Sequence, residues 1–400
     1  MKHVLLFDID GVLVETRGYL RALQDTVAHF SRTMGLGELS PTEPEVRFFE
    51  AQGITSEWHM GAICVAALLI ERMRAEPNLD LPLDWEQALR FLGEHRVALQ
   101  RPDYQAWAAQ LSRSRRPDDR TPEATMRLFA GAARSLPNQP ASAERLTPLL
   151  GALLEGVFEY RTSPVMRVMQ HLVLGSALIQ EIYGSAPDFE SEAYIERFDR
   201  PLLSGGLREK LLAALGNGLG ACMMTLRPSL PPVGASAAGL GYSPEAELAR
   251  RLTGLERMPC IGFGDLRWLA AETGADVGRL IKPHAAHGLA AIAAACSGDK
   301  VASLHAAHQL AACADLQPPL SNLPPLTVSV FEDTTNGLLA CKQAERALRE
   351  AGMEISCQGY GIAPSGSAKA RALEGVGARV YAHVDQALLD DLSQHQTTAG

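Results

Sequence analysis

The chain has 400 residues, 46% hydrophobic and 21% charged, with 37 basic against 46 acidic side chains and a formal net charge of −9. That length predicts two domains, or one domain with a large insert, and the composition excludes a disordered chain, a collagen-like fibre and a coiled-coil rod. A polyanion needs clustered Lys and Arg, so the acidic balance argues against nucleic acid as a partner, but one local cation suffices for a small phosphorylated ligand. The seven cysteines are odd in number and form no C-x-x-C pair, so they read as buried thiols in a reducing compartment. Met1–Asp8 offers too few apolar residues for a signal-peptide core, and the apolar run Gly61–Ile70 is far short of the ~20 residues of a membrane span. A soluble, cytoplasmic protein with no membrane partner is expected.

His3–Ile9 is a short apolar run that ends in Asp-Ile-Asp-Gly, which predicts a buried strand. From about Arg17 to about Arg200 helical patterns dominate: Tyr19–Met34, Ser56–Ala75, Trp85–Leu99, Thr147–Glu159 and Pro164–Tyr183. Thr147-Pro148 reads as an N-cap with proline in the first turn, and Pro77–Pro82 and Leu136–Ala143 read as loops. No strand is expected in this stretch. From Pro201 helix and strand alternate: a helix over Leu207–Leu215, a strand over Leu219–Met224, a proline-rich loop, and helices near Pro244–Leu252 and Leu266–Glu272. Arg279–Pro283 is a short strand or loop, and an Ala-rich helix begins near Ala285. Strands over Leu326–Phe331, Glu354–Gly359 and Arg379–Ala382 then alternate with helices over Gly337–Ala351 and Ala368–Gly375, and Gln394–Gly400 reads as a frayed tail. This alternation predicts an α/β fold: a doubly wound parallel sheet from residues 1–16 and 201–400, with an all-α domain over 17–200 inserted after the first strand. Such an insert lies beside the carboxyl ends of the strands, where open α/β sheets bind ligands, and is placed to cover a site.

Asp8 and Asp10, two residues apart at the end of an apolar strand and before Gly11, are aimed into that crevice, although Asp and Gly are also ordinary turn residues. The later strands supply matching pieces: Thr225 after Ala221–Met224, Lys282 before Pro283, and Glu332-Asp333 after Val328–Phe331. A carboxylate nucleophile, a hydroxyl, a cation and a second acidic pair make a phosphoryl-transfer set. A phosphate ester resists an anionic nucleophile, so Mg²⁺ is expected on Asp8, the main-chain carbonyl of Asp10 and Asp333.

In order and spacing these residues resemble the four motifs of the haloacid dehalogenase-like hydrolases, with the helical insert where that family carries its cap. The resemblance covers Met1–Thr16 and Pro201–Leu392 and implies a Rossmann-like core. Phe331-Glu-Asp333-Thr-Thr-Asn-Gly337 is similar to the form of the fourth motif in small-metabolite phosphatases and sugar phosphomutases. The resemblance implies that Asp8 attacks phosphorus and becomes an aspartyl phosphate, that Asp10 is the general acid and base, that Thr225 and Lys282 hold phosphoryl oxygens, and that Asp333 with Glu332 anchors Mg²⁺. Dehalogenases have no acid at the position of Asp10, which argues against dehalogenation. Many relatives have a further Asp where this chain has Gly337, which leaves open whether Glu332 meets the metal directly or through water.

Arg227 reads either as a contact to a substrate phosphate or carboxylate or as a brace for the loop before Pro228. Tyr19 and Arg21 on the first cap helix and Trp58 after the break at Gly53 are candidate substrate contacts, with Trp58 equally readable as core. Tyr19–Phe30 and Gly53–His59 are similar to members grouped with histidinol-phosphate-type phosphatases. The pairs His284/His287 and His305/His308 lack ligand-spaced partners and read as solvated or capping residues, and Gly216–Gly220 and Gly262–Gly264 read as turns. The sequence therefore predicts a Mg²⁺-dependent phosphatase of a small phosphorylated metabolite. The alternatives are a phosphomutase using the same intermediate and a catalytically silent binding protein.

Overall fold

Two strands open the chain in the computed structural model, β1 (Lys2–Phe7) and β2 (Val14–Glu15). Helices follow: α1 (Gly18–Thr33), α2 (Glu43–Ala51), α3 (Glu57–Ala75), α4 (Trp85–Glu94), α5 (Tyr104–Ser114), α6 (Thr121–Arg134), α7 (Ala141–Leu154), α8 (Pro164–Leu174), α9 (Ser176–Tyr183) and α10 (Tyr194–Phe198). The chain then runs through β3 (Arg200–Pro201), α11 (Gly205–Gly216), β4 (Gly220–Met224), α12 (Glu245–Thr253), β5 (Cys260–Ile261), α13 (Phe263–Thr273), α14 (Ala285–Ser297) and α15 (Lys300–Cys313). β6 (Leu326–Glu332), α16 (Thr335–Glu350), β7 (Ile355–Ile362), α17 (Ala368–Gly375), β8 (Arg379–Tyr381) and α18 (Val384–Gln396) complete it. The structure describes residues 2–116, 119, 121–136, 141–233 and 242–396. They divide into two units, Met1–Thr16 with Asp199–Gly400, and Arg17–Phe198. Among the described residues no helix is long and apolar enough to cross a membrane.

The first unit is a six-stranded sheet in the order β5-β4-β1-β6-β7-β8, with every pairing parallel. Side chains alternate across a strand, so β1 feeds both faces. Val4 and Leu6 join the core under α13–α16, whereas Leu5 and Phe7 join the one under α11, α12 and α18. Burial on both faces explains why the strands read as unbroken apolar runs. β1 is central, with β4 and β5 on one side and β6 to β8 on the other, so the chain reverses its direction of travel at β1 and opens a crevice at the carboxyl ends. A small antiparallel ribbon, Val14 with Pro201 and Glu15 with Arg200, ties together the two segments of the unit.

The second unit is built around α3, which is apolar on every side and packs against α1, α5, α6, α7 and α8. Gly61 allows the closest approach there, since a Cβ would already touch Val165 and Leu23 at 3.3 and 3.4 Å.

Several elements depart from expectation. The helix expected over Pro164–Tyr183 breaks at Gly175, whose φ is +78° and whose Cβ would lie 2.7 Å from the Ala193 nitrogen. Thr147-Pro148 does not start a helix. α7 begins at Ala141, Thr147 Oγ1 donates to the Ala143 carbonyl at 2.8 Å, and burial of Leu146, Leu149, Leu150 and Leu153 outweighs the internal proline. The expected Trp85–Leu99 helix stops at Glu94, where His95 Nδ1–H donates to the Phe91 carbonyl at 2.8 Å. α2, α5 and α6 were not expected, although the Thr42/Glu45 capping box and the Asp103 N-cap mark two of their starts. Of the two forms expected for Arg279–Pro283, strand or loop, it takes the loop, leaving a 3₁₀ turn over Val277–Arg279. The loop expected over Leu136–Ala143 lies partly outside the described residues, and Ala141 already belongs to α7. α18 runs through Gln394 to Gln396 of the expected tail, and 397–400 lie outside the described residues.

His287 on α14 donates its Nε2–H to the Ile261 carbonyl of β5 at 3.0 Å and is fully buried. Burial first, and then the charge of Lys282, push its pKa down from 6.5 to about 3. The unfolded chain therefore takes up this proton below about 6.5 and the folded chain does not, so this contribution to stability is lost as pH falls toward 3, at up to about 1.4 kcal/mol per pH unit. The urea midpoint of the wild type should fall between pH 7 and pH 5, and His287→Gln should show a smaller fall over the same range.

Candidate active site

β1 and β6 are neighbours in register, Phe7 opposite Phe331, so the next residues, Asp8 and Glu332, emerge side by side at the carboxyl edge of the sheet. The Asp8 N–H donates to the Phe331 carbonyl at 2.9 Å, and the Ile9 N–H donates back to Asp8 Oδ1 at 2.8 Å. The chain then turns through Asp10 and Gly11, closed by Gly11 N–H to the Val14 carbonyl and Val14 N–H to the Ile9 carbonyl, both 2.9 Å. Gly11 has φ +71°, and a Cβ there would lie 2.3 Å from Asp333 Oδ2, so both conformation and space require glycine.

Lys282 comes in from the loop before α14 and is 5% exposed. Its ammonium lies 3.2 Å from Asp8 Oδ1 and donates a close hydrogen bond to Glu332 Oε1. Glu332 Oε2 accepts from the N–H and hydroxyl of Thr334 at 3.2 and 2.9 Å. Asp333 accepts a close hydrogen bond from Lys369 at the start of α17. Burial first, and then the charge of Glu332, hold the Asp8 carboxyl well above the ordinary carboxylate range, with Lys282 opposing. Burial also raises Asp333, against Lys369 and with Glu332, to about 6. Burial works against the Lys282 ammonium, but Asp8 and Glu332 overcome it and raise its pKa.

Asp8, Glu332 and Asp333 each offer an oxygen, and these oxygens lie within 4.8 Å of one another. The donor set is hard oxygen, and two of its acids are pushed upward by burial and mutual repulsion. A site short of positive charge in this way fits a small divalent cation. Gly337 faces the same cluster: a Cβ there would lie 1.6 Å from Glu332 Oε1. The Glu332 carboxylate occupies the space that a side chain at 337 would fill, so one excludes the other.

The remaining candidates fall in several places. Thr225 follows β4, is fully buried, and its Oγ1 accepts from the Arg227 N–H at 3.0 Å. Arg227 is held between two acids. With its side chain 1% exposed, it donates from Nε to Asp10 Oδ1 at 2.6 Å and from Nη2 to Asp199 Oδ2 at 3.0 Å. In the helical unit, Tyr19 and Trp58 are both buried and pack ring to ring with centroids 5.3 Å apart, as core residues do. Arg21 pairs with Asp25 at 2.9 Å and lines an open groove of about 880 Å³ together with His29, Tyr194 and Arg197. His284 is the N-cap of α14, His305 meets the edge of Trp268, and among the described residues no histidine joins a metal-competent group. Sequence reasoning missed Lys369 and Asp199. Neither sits in a motif: Lys369 meets Asp333 from 36 residues away, and Asp199 meets Arg227 from 28 residues away.

Gly337→Ala should displace Glu332 and cost about 2 kcal/mol or more in urea denaturation, as overpacking does. Glu332→Ala in the same chain removes the clash, so the double variant should be more stable than the sum of the two single changes predicts.

The fold is similar to that of an X-ray structure determined as a Northeast Structural Genomics Consortium target, with a TM-score of 0.67 and 17% identity over 99% of this chain and 100% of that one. The phosphatase Tt82 from Thermococcus thioreducens aligns over 88% of this chain and 91% of its own, at 14% identity and a TM-score of 0.45. No protein-family model and no curated protein matches the chain. The first likeness places the chain among proteins with a mostly parallel sheet flanked by helices, and it concerns the fold alone.

Proposed function

We propose that the protein is a Mg²⁺-dependent phosphatase of a small phosphorylated metabolite. On this reading residues 1–16 and 201–400 are a haloacid dehalogenase-like catalytic core, and 17–200 are its cap. The observation that carries it is the juxtaposition of Asp8, Glu332 and Asp333 at the carboxyl edge of a parallel sheet, with the buried Lys282 against the first two. When bound, Mg²⁺ supplies positive charge that offsets the repulsion between a carboxylate nucleophile and a phosphate.

Asp8 attacks phosphorus with one carboxylate oxygen, and the bond from phosphorus to the leaving oxygen breaks as Asp10 protonates that oxygen. Water then attacks the aspartyl phosphate, gives its proton to Asp10, and the bond from phosphorus to Asp8 breaks. Lys282 and the Thr225 hydroxyl hold the phosphoryl oxygens and steady their charge. Asp8, Asp333 and the Asp10 carbonyl hold the metal, with Glu332 beside them. Arg21 is the cap residue offered to the organic part of the substrate, while Tyr19 and Trp58 serve it through packing. All seven cysteines are unpaired thiols, which supports a reducing, cytoplasmic setting.

Inorganic phosphate release from a panel of phosphorylated metabolites tests this reading. Release that requires Mg²⁺, stops with chelator and falls at least about 10³-fold in Asp8→Asn is expected. An isomerised sugar phosphate without free phosphate would make the protein a mutase, and neither product from folded protein would leave a silent scaffold. Metal binding has its own readout. Saturating Mg²⁺ should raise the melting temperature of the wild type, by the equivalent of about 2.7 kcal/mol at a hundred times Kd, and should barely move Asp333→Asn.

A further inference from the structure

Three observations meet at Arg227. Its guanidinium is buried and spans two carboxylates, Asp10 at 2.6 Å and Asp199 at 3.0 Å. Asp199 is fully buried and is the residue at which the chain enters the core again after Phe198, directly before β3. Asp10 is bridged to Val14, and β2 pairs with β3, so both acids are fastened to the same small ribbon. Arg227 itself is set by the loop after β4, where its N–H binds Thr225 Oγ1 and its carbonyl accepts from the Phe263 N–H at 3.1 Å.

We infer that Arg227 is a positioning residue for Asp10, held in place by Asp199, and that it decides which Asp10 oxygen exchanges the proton. This rests on the proposed phosphatase reading. A guanidinium donates hydrogen bonds and never accepts a proton, so Oδ1 is taken up by this contact and Oδ2 is the oxygen turned to proton exchange, with the leaving group in the first step and with water in the second. Asp199 supplies the second anchor that a planar, forked cation needs to be fixed in rotation as well as in place. Without it the guanidinium swings, and Asp10 loses its fixed orientation while the phosphate-holding groups, Thr225 and Lys282, keep theirs. Arg227 therefore acts through Asp10 and has no contact of its own with the substrate.

The test uses the full chain with Mg²⁺, comparing Asp199→Asn and Arg227→Lys with wild type on glycerol 2-phosphate and p-nitrophenyl phosphate. An alkoxide leaves only with a proton, whereas nitrophenolate leaves without one. Both variants should lower kcat for glycerol 2-phosphate by about 10- to 100-fold with KM within about threefold, yet change single-turnover nitrophenolate release little. A raised KM with kcat retained would mean that Arg227 binds substrate, and equal losses on both esters would mean a purely structural brace. Either result overturns the inference. If wild type hydrolyses neither ester, the phosphatase reading is decided by the metabolite panel, and the bridge is judged without turnover. The ¹⁵N-detected Nε–H signal that disappears in Arg227→Lys should shift in both Asp10→Asn and Asp199→Asn, and a signal indifferent to Asp10→Asn would overturn the positioning role.

Discussion

Placing like charges side by side on adjacent parallel strands is the constraint from which the rest of the core follows. The register that sets Phe7 against Phe331 leaves Asp8 and Glu332 no choice but to emerge as neighbours. Two buried carboxylates with oxygens within 4.8 Å of one another repel, so a cation must sit between them or one must take up a proton. Lys282 takes that position, bonded to both acids and almost fully buried. Asp333 finds Lys369, and Asp10 finds Arg227. The four acids at this edge are thus met by three bases, each drawn from a different loop or helix, and the loops after β4, before α14 and at the start of α17 are fixed by those pairings.

The sheet sharpens the effect from below. Phe7, Phe331 and Tyr360 stack across β1, β6 and β7 with centroids 4.6 and 4.9 Å apart, one residue short of the acidic edge on the first two strands. That aromatic row fills one face of the strand ends while the acids emerge on the other, and burial of these ends strengthens the charge interactions there. The same low polarity raises the Asp8 and Asp333 carboxyls, so packing and electrostatics here have one cause. The aromatic row and the acidic row alternate because successive strand residues face opposite sides.

The parallel α/β core was legible because its strands are buried on both faces and its helices carry their own stops. Asp8, Lys282, Glu332 and Asp333 were legible as candidates because strand ends and short loops place them, whatever the remaining fold does. Other features depend on contacts between distant segments, and no local pattern encodes those. Gly175 breaks a helix because Ala193 comes too close, and Pro148 is tolerated inside a helix because four leucines around it are buried. Arg227 is ambiguous in sequence for the same reason, since its two partners lie 217 and 28 residues away. The helical unit offered weaker signals because α3 is apolar on all sides and shows no amphipathic stripe to orient its neighbours.

Glycine at 337 and glutamate at 332 are paired choices, because a side chain at 337 would collide with the Glu332 carboxylate. A side chain at 337 would reach the cluster from the first turn of a helix, whereas Glu332 reaches it from the last residue of a strand. The strand end is the stiffer support, and Thr334 completes it by filling both acceptor positions of Oε2, which leaves Oε1 as the oxygen facing Lys282. With one lone pair of Oε1 given to that ammonium, a single acceptor position remains for anything else. Asp8 and Asp333 have no such internal bonding on both oxygens, so charge placed near this cluster is shared mainly by them. Glu332 then serves first to hold Lys282 upright against Asp8, and a glycine at 337 is the condition that lets it do so.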